Sequence, residues 1–294
     1  MSQYTCLLLI IDPALRDSPA ITHAAALARA SGATLHIVAL ATRLKIFPLV
    51  QKDVWEKAQA ASLQGHRDWL TQQDNNLQAL GLKVTTQVEW ADDLKQNILD
   101  YVAEMKPDLL IKQVQQESAL KRAFFTPLDW KLLRESTVPV YLIGAAGHAL
   151  PHIIVAAVDA SDTQPTNSDL NDRIVEQANA MALQCGAELH LLYACDISAL
   201  YMTDMGGLAV TDLMEDLQST EKDRFFELAQ RYGVPPDRHH FVLGSPVSAL
   251  SHFAIQEGVD VIVMGRVRYR GLEKLLGSTT EHILYQVPCS ILAV

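Results

Sequence analysis

Six residues in one short stretch could hold an anion. In "GRVRYRGLEKLLGS", Gly265 follows an apolar run, Arg266 and Arg268 supply positive charge, Gly271 lies mid-loop, and Gly277-Ser278 open a helix-like run. A glycine at the mouth of a buried strand lets a ligand approach the backbone, and a Gly-Ser helix start aims free N–H groups at an anion. The chemistry this suggests is phosphate binding. A glycine-bearing loop followed by a capped helix has the same spelling, so the spacing alone leaves both readings open. Asp159, at the end of the apolar run "IIVAAVDAS", can accept hydrogen bonds from a base or a ribose, and it is equally a turn-former and helix-capping residue.

The elements that must position these residues are written twice. "LLLIIDP" (7–13) is answered by "IIVAAVDAS" (153–161), and "SGATLHIVAL" (31–40) by "CGAELHLLYA" (185–194). "PDLLIKQ" pairs with "VDVIVMG", and "VPVYLI" with "VPCSIL", in the same order. Each half reads as alternating strands and helices, with continuous apolar strands of the kind buried on both faces of a parallel sheet. The fold expected is α/β: two tandem doubly wound parallel-sheet domains, 1–147 and 148–294, joined within "GAAGHALPH". In such sheets ligands settle beyond the carboxyl ends of the strands, where strand order reverses. That places Asp159 and Gly265 in one crevice. In "LGSPVSALSHFA", Ser245 is expected to cap a helix and Pro246 to begin it.

Composition narrows the function further. The 294 residues are 49% hydrophobic and 20% charged, which suits filled cores, and a net charge of -10 argues against direct binding of nucleic acid. No apolar stretch is long enough for a membrane span, and the amino terminus lacks a basic leader, so a cytoplasmic protein is expected. Cys6, Cys185, Cys195 and Cys289 show no C-x-x-C spacing and read as buried thiols. The sequence holds no G-x-S-x-G elbow, G-x-x-x-x-G-K-[ST] loop or H-E-x-x-H pair, so neither a catalytic residue nor a metal site is expected. The adjacent His239 and His240 should point to opposite faces of a strand, and His36 and His190 read as structural groups.

The strand ending "VMG", the loop, the "GS" before a helix and the closing "VPCSILAV" resemble the universal stress protein family. With "FTPLDWKLLR" (125–134), the chain resembles that family's tandem two-domain type. The resemblance implies an adenine nucleotide alpha hydrolase-like fold and ATP or a related nucleotide as the ligand. Gly265 matches the first glycine of the family's loop, Gly277 the third and Ser278 the hydroxyl residue. Arg268 stands at the second glycine and the loop is one residue short, so weakened binding is implied. In the first half Gln113 replaces the first glycine and Phe125-Thr126 the Gly-Ser, so no nucleotide is expected there. The resemblance further implies an intramolecular pseudo-dimer joined near the strands "VPVYLI" and "VPCSIL", and it leaves a homodimer open. The function implied is stress-response binding of a small molecule. Two alternatives stand beside it: a slow ATP-hydrolysing enzyme, and a carrier of an apolar compound near Phe124, Phe125 and Trp130.

Overall fold

The computed structural model describes residues 4–16, 18–42, 51–114, 127–144, 147–161, 165–197, 208–266 and 283–294. The chain divides into two compact units, Ser2–Ile143 and Gly144–Val294. The first contains β1 (Cys6–Ile11), α1 (Pro19–Ser31), β2 (Thr34–Thr42), α2 (Lys52–Ala79), β3 (Val84–Ala91), α3 (Leu94–Met105), β4 (Leu109–Gln113), α4 (Leu128–Glu135) and β5 (Val140–Ile143). Its strands lie in the order β3-β2-β1-β4-β5 and all pair in parallel. The chain moves one way from β1 to β3 and the other way from β3 to β5. Right-handed crossovers therefore place α1 and α2 on one face and α3 and α4 on the other, where α3 and α4 touch. The order reverses between β1 and β4.

The second unit repeats this plan with β6 (Ile153–Ala157), α5 (Pro165–Cys185), β7 (Glu188–Cys195), α6 (Leu208–Arg231), β8 (His239–Leu243), α7 (Pro246–Gln256), β9 (Val261–Met264) and β10 (Ser290–Ala293). Its order is β10-β9-β6-β7-β8, again parallel, with the reversal between β6 and β9. The doubly wound expectation is met in both units.

Sequence accounts for these elements locally. Central strands are apolar without a break: Leu7, Leu8 and Leu9 of β1, Leu109 to Ile111 of β4, and Ile154 to Ala156 of β6 are all fully buried. Edge strand β3 alternates instead, its Thr85 and Gln87 exposed. The repeated "GA" before the second strand of each unit has a backbone reason. Gly32 and Gly186 end α1 and α5 at φ +73° and +66°, a left-handed conformation that glycine adopts without penalty. Ser245 caps α7 through its side chain, 3.4 Å from the Ser248 N–H, and Pro246 is the first helical residue.

Each sheet is also tied at its amino end by an aspartate. Asp108 precedes β4, and its Oδ2 accepts the Thr5 N–H at 2.6 Å, the Thr5 hydroxyl at 2.8 Å and the Cys6 N–H at 2.9 Å. Asp260 precedes β9 and accepts the His152 and Ile153 N–H groups at 2.7 and 3.1 Å. The start of the first strand is thus held to the start of the fourth in both units.

Candidate functional site

The expected ligand crevice lies where β6 and β9 end side by side, with Ala157 in register with Met264. Beyond β6 the chain continues through Val158, whose N–H donates to the Leu192 carbonyl, to Asp159. The backbone there is pinned by Asn171 of α5, a residue only 3% exposed. Asn171 Oδ1 accepts the Asp159 N–H at 3.0 Å, and its Nδ2 donates to the Asp159 carbonyl at 2.6 Å. Asp159 itself is exposed and turns the chain: its Oδ1 accepts the N–H and the hydroxyl of Ser161 at 2.9 and 2.6 Å. This is the turn-forming behaviour weighed in the sequence.

Gly265 follows β9 immediately, and a Cβ on it would lie 2.7–2.8 Å from three carbons of the Leu170 side chain. Close packing of α5 against the end of β9 therefore favours a glycine here whether or not a ligand approaches, since Leu170 would have to shift for a Cβ. The Arg266 N–H donates to the Val294 carbonyl at 2.8 Å, which fixes the backbone just beyond β9. The structure brings Asp159, Gly265 and Arg266 to the same end of neighbouring strands. Arg268, Gly271, Gly277 and Ser278 lie outside the described residues.

The corresponding crevice of the first unit is bridged by side chains. Asp12 makes a turn like that of Asp159, its Oδ1 accepting the Ala14 N–H at 2.9 Å. At the end of β4, however, Gln113 Oε1 accepts the hydroxyl of Ser18, the capping residue of α1, at 2.8 Å. Beside it Lys112 Nζ lies 2.9 Å from Asp129 Oδ1 of α4 and donates to the Gln113 carbonyl at 2.9 Å. Lys112 and Asp129 are 5% and 1% exposed. A buried ammonium must be neutralised by a partner close at hand, and Asp129 does this, so the charge is committed within the protein. In the second unit Met264 and Gly265 stand where Lys112 and Gln113 stand. Phe124 and Phe125 are outside the described residues, while Trp130 sits half-buried on α4.

Sequence reading missed Leu170, Asn171 and the Lys112–Asp129 pair. The pair did leave a signal: a lysine inside the apolar run "PDLLIKQ" has to find an anion.

Several other titratable groups make structural contacts. His36 Nδ1 lies 2.5 Å from Thr85 Oγ1, and His190 Nδ1 lies 2.9 Å from His240 Nε2. Burial and the neighbouring His190 lower the pKa of His240. His239 turns away from this pair to the Val234 carbonyl, 2.7 Å from its Nε2, as adjacent strand residues should. All four cysteines are free. Burial pushes the Cys185 thiol up to about 11 and the Cys289 thiol up to about 12, so neither is a thiolate nucleophile near neutral pH. A cavity of about 450 Å³ opens between β3 and α3, lined by His36, Glu89, Asp100 and Glu104 among others. Its acidic wall is unsuited to a phosphate and its polarity to an apolar cargo. No helix among the described residues is long and apolar enough to cross a membrane.

Over its full length the chain is 26% identical to universal stress protein E of Photorhabdus laumondii, covering 96% of that protein. It is 22% identical to universal stress protein E of Escherichia coli K12, covering 95% of it. A functionally unknown protein of Pseudomonas aeruginosa PAO1 shares the fold over 99% of this chain and 93% of its own, with a TM-score of 0.75 at 24% identity. A universal stress protein of Archaeoglobus fulgidus does so over 98% and 95%, with a TM-score of 0.63 at 17% identity. The sequence model of the universal stress protein family matches residues 4–144 and again residues 152–294. The chain therefore belongs to the universal stress protein family, carries its domain twice, and is similar along its whole length to universal stress protein E.

Proposed function

We propose that this protein is a stress-response binding protein whose second unit holds ATP or a related nucleotide beyond the ends of β6 and β9, while its first unit holds none. One observation carries the reading. Lys112 and Gln113 bridge the first crevice to α4 and α1, whereas the matching Met264 and Gly265 have no side-chain polar group with which to do so. The basic, glycine-bearing loop that follows Gly265 in sequence supplies the anion-binding chemistry: Arg266 and Arg268 for charge, Gly277 and Ser278 for a helix start. Binding rather than turnover is the function assigned, since the buried Cys185 and Cys289 thiols are protonated and His36, His190, His239 and His240 are engaged in structural contacts. Hydrolysis, if measured, should be slow and should depend on the same loop.

The test is to denature the purified protein, identify the released small molecules by mass spectrometry, and repeat with Gly277→Phe. Nucleotide released by the wild type and lost with the substitution supports the second-unit site. Release unchanged by Gly277→Phe places the nucleotide elsewhere and overturns the assignment. Release of an apolar compound instead would favour the carrier function.

A further inference from the structure

The opposite, amino-terminal end of the second unit's sheet carries a group that its clamp does not need. Asp260, only 3% exposed, accepts four hydrogen bonds. Besides the His152 and Ile153 N–H groups on Oδ2, its Oδ1 receives the His148 N–H and faces His148 Nδ1, both at 2.9 Å. The segment around Gly147 lies close against the same residue, since a Cβ on Gly147 would be 3.5 Å from Asp260 Oδ1. The His148 and His152 rings face one another with centroids 4.3 Å apart. One nitrogen of each ring and a carboxylate oxygen all lie within 4.8 Å of one another. In the first unit Asp108 performs the same clamp on Thr5 and Cys6, with no imidazole bonded to it among the described residues.

We propose that His148, His152 and Asp260 form a binding site for a divalent transition-metal ion, with zinc the best fit. Two imidazoles and one carboxylate make a borderline donor set that suits zinc and is poorly suited to magnesium or calcium. Tetrahedral zinc with bonds of about 2.0–2.2 Å keeps its ligand atoms about 3.3 Å apart. The 2.9 Å between His148 Nδ1 and Asp260 Oδ1 must open slightly, and the spread of up to 4.8 Å across the group must close. Both rings can make that adjustment, because both histidines are exposed and the His148 side chain is 65% accessible. The carboxylate need not move. Three backbone N–H groups orient it and hold it ionised, which is what the surroundings of a metal ligand ordinarily do. On binding, Oδ1 keeps the His148 N–H and exchanges its ring partner for the ion, and water fills the position left open by three protein ligands. The ion would fasten residues 147–153, which join the two sequence repeats, to the start of β9. No metal was expected from a sequence without an H-E-x-x-H pair; His148 and Asp260, 112 residues apart, are brought together only by the fold.

The full chain, stripped with a chelator and dialysed, should take up one zinc ion in a calorimetric titration and raise its Tm as it does so. Cobalt should give the visible absorption of a tetrahedral site. His148→Ala and His152→Ala leave the clamping backbone N–H groups in place and so should fold. Each should lower zinc affinity by about tenfold or more, and the double variant should lose both the Tm rise and the cobalt spectrum. Two results would overturn the site: a wild type that takes up no zinc, or a double variant that binds it as tightly as the wild type, which would move the ion to another pair such as His190 and His240.

Discussion

The crevice between β1 and β4 and the crevice between β6 and β9 share a topology, a strand register and a turn-forming aspartate. They differ in the last two residues of the fourth strand. Lys112 and Gln113 reach across to α4 and α1, while Met264 and Gly265 do not, and Gly265 is instead covered by Leu170. Two side chains thus distinguish the crevices while the frame around them stays the same. Lys112 is satisfied by Asp129 and Gln113 by Ser18, so both polar side chains are engaged within the first unit.

Breaking the ion pair is the most severe test. Lys112→Met leaves Asp129 buried without its cation and should cost about 3–5 kcal/mol in chemical denaturation, with Lys112→Met/Asp129→Leu regaining most of it. A neutral single substitution would mean that the buried Asp129 does not depend on Lys112.

The next test contrasts the amino ends. Burial opposes the charge on Asp260, but hydrogen bonds from the His148, His152 and Ile153 N–H groups and the His148 ring outweigh it and lower its pKa. Asp108 is lowered likewise by the Thr5 and Cys6 N–H groups and the Thr5 hydroxyl, against its desolvation. A carboxyl depressed in the folded state contributes stability at pH values above its unfolded pKa of about 3.9, and this is lost as pH falls through the folded value. Asp260→Ala should therefore cost about 3 kcal/mol near neutral pH, and its deficit against the wild type should shrink in acid below about pH 4. A deficit independent of pH would assign the effect to packing.

Smaller effects separate the two crevices further. Ser18→Ala removes both the cap of α1 and the bond to Gln113, and should lower stability by about 1 kcal/mol. Gly265→Ala should cost about 1 kcal/mol or less, because the clash falls on the flexible end of Leu170, and Leu170→Ala in the same chain should remove the penalty. A loss that persisted in the double variant would show that something other than Leu170 needs the glycine.

Much of this architecture was legible in sequence because it depends on short-range patterns. Apolar runs gave the strands, the paired "SGA" and "CGA" gave the helix ends at Gly32 and Gly186, and the repeat gave the duplication. The position of Asp159 and Gly265 at neighbouring strand ends followed from the fold. What closes or builds a site depends on residues far apart in the chain. Leu170 meets Gly265 from α5, Asp129 of α4 meets Lys112 of β4, and Asp260 meets His148 only once β6 and β9 are paired. Side-chain contacts of this kind have no periodicity to betray them.

The aspartate clamps also set a timetable for synthesis. Thr5 bonds to a carboxylate 103 residues further on, and Ile153 to one 107 residues further on. At a translation rate of about 5–20 residues per second, the start of β1 waits roughly 5 to 20 seconds for Asp108 and β4 to be made. β2 can cover only one flank during that interval, and the other flank of a wholly apolar strand stays open. Each unit must therefore keep its most aggregation-prone strand half-covered on the ribosome until most of its own chain has been made.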